Sequence, residues 1–279
     1  PKDDRPLTER ERADFSAHPW RQRLQRIKLY WMLEARFLAF KYKPEWMKLV
    51  AKVGKHRIAK AIRDPEVRAK VTPDYTPGCK RLLISNDYYP ALARTNVHVI
   101  TDGIREVTET GVVTQDGTLR DVDALIFGTG FKVSDPIPPG VVFGRGGADL
   151  AEVWRNGPEA YMGITVAGFP NFFMLMGPNT GLGHNSMVFM IESQVHYVLE
   201  ALKTMKERGI KVLDVKPQAQ QQFTEQIQSD LRSTVWDSGC KSWYLNAQGR
   251  NVSLWPGFTF AYRFKTRHFK LSQYTAEKA

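Results

Sequence analysis

The sequence predicts an α/β protein on three observations. Apolar residues recur at helical spacing through the first ~70 positions. Short β-rich runs separated by Asp-Gly turns follow between 97 and 127. A strand-like run then passes through glycines into a long helix near 184–207. Of the 279 residues, 42% are hydrophobic and 25% charged, the balance of a folded chain and not of a disordered one. The length suits one large domain or two smaller ones.

The elements follow in order. Thr8 is a candidate N-cap, with Glu11 three residues on at the capping-box position. From His18 to Phe40, Leu24, Ile27, Tyr30, Trp31 and Leu38 fall at helical spacing between Arg and Lys. Pro44 ends or restarts that helix. Trp46, Leu49, Val50 and Val53 continue the period, and Asp64-Pro65-Glu66 marks another start, with Pro at the first helical position. Val97–Ile100, Ile104–Val107 and Val112–Thr114 read as short strands, with turns at Asp102-Gly103 and Asp116-Gly117. Asp123–Phe127 reads as a buried strand and Asn171–Met176 as a second strand-like run. Lys211–Val215 is a short strand, Pro217–Leu231 a Gln-rich helix, and the tail from Trp236 is aromatic.

Composition and patterning remove several classes. The most apolar neighbourhood, Tyr30 to Tyr42, is broken by Glu34, Arg36 and Lys41, and no run approaches the ~20 apolar residues of a membrane-spanning helix. Two cysteines, Cys79 and Cys240, are too few for a disulfide framework or a four-cysteine zinc site. They lie 161 positions apart, and the six histidines show no H-E-x-x-H spacing, so a metal site is rejected. The N-terminus Pro1-Lys2-Asp3-Asp4-Arg5 has neither an apolar signal core nor an initiator Met. The expectation is a cytoplasmic protein whose chain starts mid-protein. The net charge is +11, and residues 1–80 alone carry 20 Lys/Arg against 10 Asp/Glu. Such a basic third can face nucleic acid, a membrane surface or a phosphorylated small molecule. No helix-turn-helix, zinc-finger or RNP signature accompanies it, so no nucleic acid is expected, while a membrane surface stays open.

Three segments can carry chemistry. Gly128-Thr129-Gly130 follows an apolar run, and closely spaced glycines at a strand end let backbone approach a nucleotide. The same residues also fit a tight strand-to-loop turn. Gly181-Leu182-Gly183-His184-Asn185-Ser186 opens the long helix but fails as a dinucleotide fingerprint, because Ser186 replaces the third glycine. What survives is a helix N-terminus suited to an anionic or carbonyl-bearing ligand, or an ordinary cap. Lys80-Arg81 at a strand entrance can bind phosphate, although most such pairs are simply solvated.

Taken in order, these segments resemble one family. Pro77-Gly78-Cys79-Lys80-Arg81 with Ser85-Asn86-Asp87-Tyr88-Tyr89-Pro90 is similar to the central signature of Baeyer–Villiger-type flavoprotein monooxygenases. Asp123 to Phe131 resembles the family's "ATGF" segment, and Phe169–Phe173 with Gly177-Pro178-Asn179 resembles its C-terminal flavin segment. Trp236, Ser238-Gly239-Cys240, Ser242-Trp243-Tyr244 and Leu254–Phe258 resemble its mobile loop and closing strand. The resemblance runs from about Arg5 to about Phe269.

It implies two Rossmann-like dinucleotide-binding domains with a helical insertion, FAD in one and NADPH in the other. On that reading residues 1–75 are the basic helical segment of the NADPH domain and 76–127 its remainder with a β-meander. Residues 128–279 are then the FAD-domain part with the mobile loop. The implied reaction inserts one oxygen from O2 into a ketone through a C4a-peroxyflavin, with oxygenation of a sulfide or a nitrogen centre as the alternative. Arg81 matches the arginine that stabilises the peroxyflavin, and Lys80 a position near the NADPH 2′-phosphate. Asp87, Gly128, Thr129, Gly130, Gly177, Pro178 and Asn179 match cofactor-binding positions. Asn185, Ser186 and Met187 match the helix start at the flavin ring, and Trp243 and Tyr244 the loop over NADPH and substrate.

The sequence departs from the family at three places. Both G-x-G-x-x-G fingerprints and the F-x-G-x-x-x-H-x-x-x-W-P motif are absent, so the chain reads as the C-terminal half of such an enzyme, with a complementary N-terminal half as an expected partner. A non-catalytic remnant acting as an interaction protein is the remaining alternative.

Overall fold

The computed structural model describes residues 5–130 and 137–278. Phe131 of the glycine segment lies outside the described residues. The chain is α/β and divides into two compact units, one of residues 51–74 and 83–130, the other of residues 5–50, 75–82 and 137–278.

The start is helical, but the single helix read over 18–40 divides at Arg36: α1 (Glu9–Ala17), α2 (Pro19–Ala35), α3 (Phe37–Lys41), α4 (Trp46–Ala61) and α5 (Pro65–Val71). Thr8 and Glu11 close a reciprocal capping box. The Glu11 carboxylate also takes two 2.8 Å bonds from Arg5, and these donors with those of Thr8 hold its pKa at about 2. Asp64 caps α5 by accepting from the Glu66 and Val67 amides, with Pro65 at the first helical position.

In the first unit, α6 (Tyr88–Leu92) is followed by an antiparallel meander of β1 (Ile104–Val107), β2 (Gly111–Thr114) and β3 (Leu119–Asp121). The register pairs Ile104 with Thr114 and Val112 with Arg120. The Asp116-Gly117 turn forms as expected, with the Gly117 N–H on the Thr114 carbonyl at 2.9 Å. Two expected strands do not form. Val97–Ile100 and Asp123–Phe127 are outside any strand, and the second is exposed where a buried strand was expected. Ile126 is 93% and Phe127 75% exposed. Apolar β-branched sequence makes a strand only when another strand takes its N–H and C=O groups. No described neighbour does so here.

The second unit carries α7 (Leu150–Val153), α8 (Met187–Arg208), β4 (Ile210–Val215), α9 (Pro217–Leu231), α10 (Thr259–Thr266) and β5 (Tyr274–Lys278). α8 stops at Gly209, whose φ of +63° is the left-handed conformation that glycine adopts without a Cβ penalty. β4 pairs antiparallel with β5, placing Val215 opposite Tyr274. Asn171–Met176, expected as a strand, is irregular: Asn171 and Met176 both sit at φ +58°, which no strand tolerates.

Three buried clusters hold this unit. Phe37, Phe40, Leu182, Met190, Trp236 and Tyr262 centre the first. Ile164, Tyr197, Leu213 and Tyr274 centre the second, and Leu150, Trp154, Val166 and Phe169 the third. Buried hydroxyls are paired within the second cluster, Tyr274 with Thr165 at 3.0 Å and with Tyr197 at 3.1 Å. Cys79 and Cys240 form a disulfide, a pairing absent from the reading of the sequence, where their number and spacing served to exclude a disulfide framework and a metal site. No described helix is long and apolar enough to cross a membrane, and the described residues hold no cluster of metal-ligating side chains.

Candidate functional site

The site builds around the loop that leads into α8. Gly181 is held by a bridge to Leu254: its N–H donates to the Ser253 carbonyl and its own carbonyl accepts from Trp255, both at 2.8 Å. Leu182 is buried, and its carbonyl accepts from Arg81 Nη1 at 3.4 Å. Arg81 also lies beside the Tyr244 phenol. Burial pushes that phenol's pKa up and the guanidinium opposes the rise. Lys80 stands over the Tyr75 ring at 4.3 Å, a cation–π contact. Arg81, Tyr244 and the α8 entry are therefore together. Trp243 is half exposed and tilted against Tyr244.

The helix start has an unusual anchor. Glu34, buried in α2, accepts from the Thr259 N–H and hydroxyl and from the Asn185 side-chain amide. The His184 Nε2 lies 3.7 Å from the same carboxylate, and both its ring nitrogens are buried without a hydrogen-bond partner. Burial raises the Glu34 pKa. The His184 imidazole beside it and the donors of Asn185 and Thr259 outweigh it, and the carboxyl stays below its ordinary range. Asn185 Oδ1 accepts the Ser186 N–H at 2.8 Å. The Asn185 side chain is thus engaged inside the protein at both ends.

Sequence reading met Glu34 only as a charge interrupting an apolar run. A lone carboxylate on the stripe that carries Tyr30 and Phe37 was the available signal.

The glycines divide by what surrounds them. A Cβ on Gly183 would meet Trp236 at 2.9 Å, on Gly181 the Ser253 carbonyl at 2.8 Å, and on Gly177 the Gly163 carbonyl at 2.4 Å. These three serve close internal packing. Asn179 is buried at φ +56°, donating through Nδ2 to the Asn251 and Leu254 carbonyls, so Gly177-Pro178-Asn179 straps the loop to the C-terminal segment. In the first unit, Gly128 and Gly130 have no atom within 4 Å of an added Cβ. The backbone around Thr129 is open to a ligand. Asp87 N-caps the short α6 and accepts from the Ser85 hydroxyl at 2.7 Å.

Two features fit a bound flavin. Ser186, the N-cap of the 22-residue α8, makes no side-chain cap bond of its own, so the first turn of a long helix dipole begins at Met187 without one. Arg81 adds a permanent cation near the same loop. A cleft of about 400 Å³ between α8 and α10, lined by His196, Phe260 and Arg263, contains none of the sequence-predicted residues.

These loops and helix entries belong to an α/β chain. Comparison with known proteins shows what the chain is similar to. A scan against family models finds no match. The chain is 57% identical over 276 residues to a Baeyer-Villiger monooxygenase of Pseudomonas aeruginosa, covering 98% of this chain and 52% of the relative. A Baeyer-Villiger monooxygenase of Streptomyces coelicolor is 45% identical over 277 residues, covering 98% and 53%. The structure of OTEMO in complex with FAD and NADP matches at 27% identity and TM-score 0.72, over 84% of this chain and 45% of that one. The chain is a homologue of the Baeyer–Villiger monooxygenases and spans about half the length of the curated relatives it matches.

Proposed function

We propose that this chain forms part of an FAD- and NADPH-dependent monooxygenase that inserts one oxygen atom of O2 into a small-molecule ketone. In that reading the segment 1–75 and residues 76–127 belong to the NADPH domain and 128–279 to the FAD domain. The observation that carries it is Arg81, placed by its bond to Leu182 at the uncapped entry of α8. When bound, FAD supplies the oxygen-activating chemistry and NADPH its electrons. The chain's own residues bind and orient. Ser186 and Met187, at the positive end of α8, would hold the flavin and stabilise negative charge on it. Asn185 holds that helix start through Glu34. Gly128, Thr129 and Gly130 leave room for cofactor backbone contacts, and Asp87 fixes the turn before α6. Gly177, Pro178 and Asn179 shape the flavin-side loop. Lys80 would pair with the NADPH phosphate, and Trp243 and Tyr244 would cover NADPH and substrate. Arg81 holds developing negative charge near the ketone in a water-poor site.

The reading needs a segment carrying the two missing fingerprints, on the same polypeptide or on a partner. The exposed Leu83, Ile126 and Phe127 support such a companion, since apolar extended segments call for neighbouring strands. The 279-residue chain alone is expected to bind FAD weakly and to turn over no ketone. Stoichiometric flavin together with ketone-dependent NADPH oxidation by that chain would overturn this part. With the fingerprints present, Arg81→Ala is expected to lower ester formation by about 10²–10³-fold, read by product chromatography. An unchanged ester yield removes Arg81 from its role. Sulfoxide without ester moves the assignment to the sulfur-oxygenating branch.

A further inference from the structure

Both cysteines sit beside residues of the proposed site. Cys79 lies two positions before Arg81, and Cys240 three before Trp243. Their Cα atoms are 6.4 Å apart, inside the range a disulfide spans, and the two sulfurs are bonded.

The two ends differ in their surroundings. Cys79 is wholly buried in a turn, its N–H on the Thr76 carbonyl at 3.2 Å. That turn is tightly packed: a Cβ on Gly78 would come within 3.0 Å of Phe40 and 3.3 Å of Met47. Cys240 is at the middle of an arch between two buried anchors, Trp236 and Tyr244. Asp237, Ser238, Gly239, Lys241 and Trp243 on that arch are all exposed, and neither helix nor strand orders residues 238–243. Among the described residues, the bond to Cys79 fastens the centre of the arch to the packed turn.

We propose that Cys79 and Cys240 form a reversible thiol–disulfide site that clamps the arch carrying Trp243 against the turn that carries Arg81. The oxidant is a small acidic disulfide of the glutathione type, attracted by Lys80, Arg81 and Lys241. The half-buried Cys240 thiolate attacks it first, forming a mixed disulfide and expelling one small thiolate. The Cys79 thiolate then attacks the Cys240 sulfur, closing the internal bond and expelling the second. Two cysteines lose two electrons and two protons, and one small disulfide becomes two thiols. A dithiol reductant reverses both steps.

The purified protein, reduced and then treated with oxidised glutathione, provides the test. Peptide mapping should show a Cys79–Cys240 crosslink and the loss of two thiols, and dithiothreitol should restore both. Amides 238–243 should exchange with deuterium on the order of tenfold more slowly in the oxidised form. Cys240→Ser, on the exposed arch, and Cys79→Ser should each give the faster rate in both conditions. Two thiols surviving oxidation, a product that stops at the mixed disulfide, a bond resistant to dithiothreitol in the folded protein, or equal exchange in both forms would each overturn the clamp. Only its effect on turnover rests on the function proposed above. Thiol counts and exchange need no FAD or NADPH, so the two readings fail separately.

Discussion

Gly128 in the first unit and Gly177 in the second occupy the same kind of place in the sequence, each at the end of an apolar run that reads as a strand. Their surroundings are opposite. The space a Cβ would fill at Gly177 is already held by the Gly163 carbonyl, whereas at Gly128 it is empty. The residues leading in differ in the same way. Phe169 and Phe172 pack in a core, while Ile126 and Phe127 stand in solvent. A glycine at a strand end thus marks a close approach, and only the rest of the chain decides what approaches. In the second unit the partner is the protein itself. In the first no described residue fills that place.

The strongest way to break this contrast is to damage the unit held to be self-sufficient. Trp236 is buried between Phe37 and Phe40 and fills the space beside Gly183. Trp236→Ala is expected to cost about 3–5 kcal/mol, from lost transfer energy and the cavity left behind. Urea unfolding followed by far-UV circular dichroism reads it. A cost below about 1 kcal/mol, within the ordinary range of surface substitutions, would mean that the second unit lacks the packed core described.

A smaller effect attaches to Glu34. Its carboxylate joins α2 to Thr259 and to the α8 entry, so Glu34→Ala leaves the Thr259 N–H buried without an acceptor and is expected to cost about 1–3 kcal/mol. Glu34→Gln, which keeps the volume and one acceptor, should cost less. The pH dependence has a definite sign. The folded-state pKa lies below the ordinary 4.5, so the carboxylate's contribution is complete above about pH 4.5 and is lost as pH falls through the folded-state value. Glu34→Gln should flatten that acid limb, and an acid limb identical to the parent's would remove Glu34 from the network.

These two residues also mark how far the sequence could be read. The helices of residues 8–71 were legible because period, caps and proline positions are local, and Thr8 and Asp64 cap as their spacing requires. The meander was legible through Asp116-Gly117, whose turn is likewise local. β5 was not, because Tyr274–Lys278 is a strand only through β4, some sixty residues earlier. Asp123–Phe127 failed in the opposite sense, its composition promising a strand and no described neighbour pairing with it. At the site, Arg81 and Tyr244 were singled out through their motif surroundings. Glu34 and the Cys79–Cys240 bond were not, since both depend on contacts across more than 150 positions.

The smallest expected effect is the most informative about the first unit. Ile126 is an apolar β-branched residue in an apolar run, and in an ordinary buried strand Ile126→Ser would be severely destabilising. Here its side chain is almost fully in water, so the folded state loses no burial when it is replaced. The substitution is expected to change stability by no more than about 0.5 kcal/mol in the 279-residue chain. Urea midpoints of the two chains check this directly. With a companion segment carrying the fingerprints, the same substitution should weaken assembly, because Ile126 would then enter a sheet and its hydroxyl-bearing replacement would forfeit about 1.5–3 kcal/mol of apolar burial. A large cost in the chain alone would show that Ile126 is already covered and that the two units are alike. No cost in either setting would show that this edge recruits nothing, leaving its exposed apolar surface without a structural role.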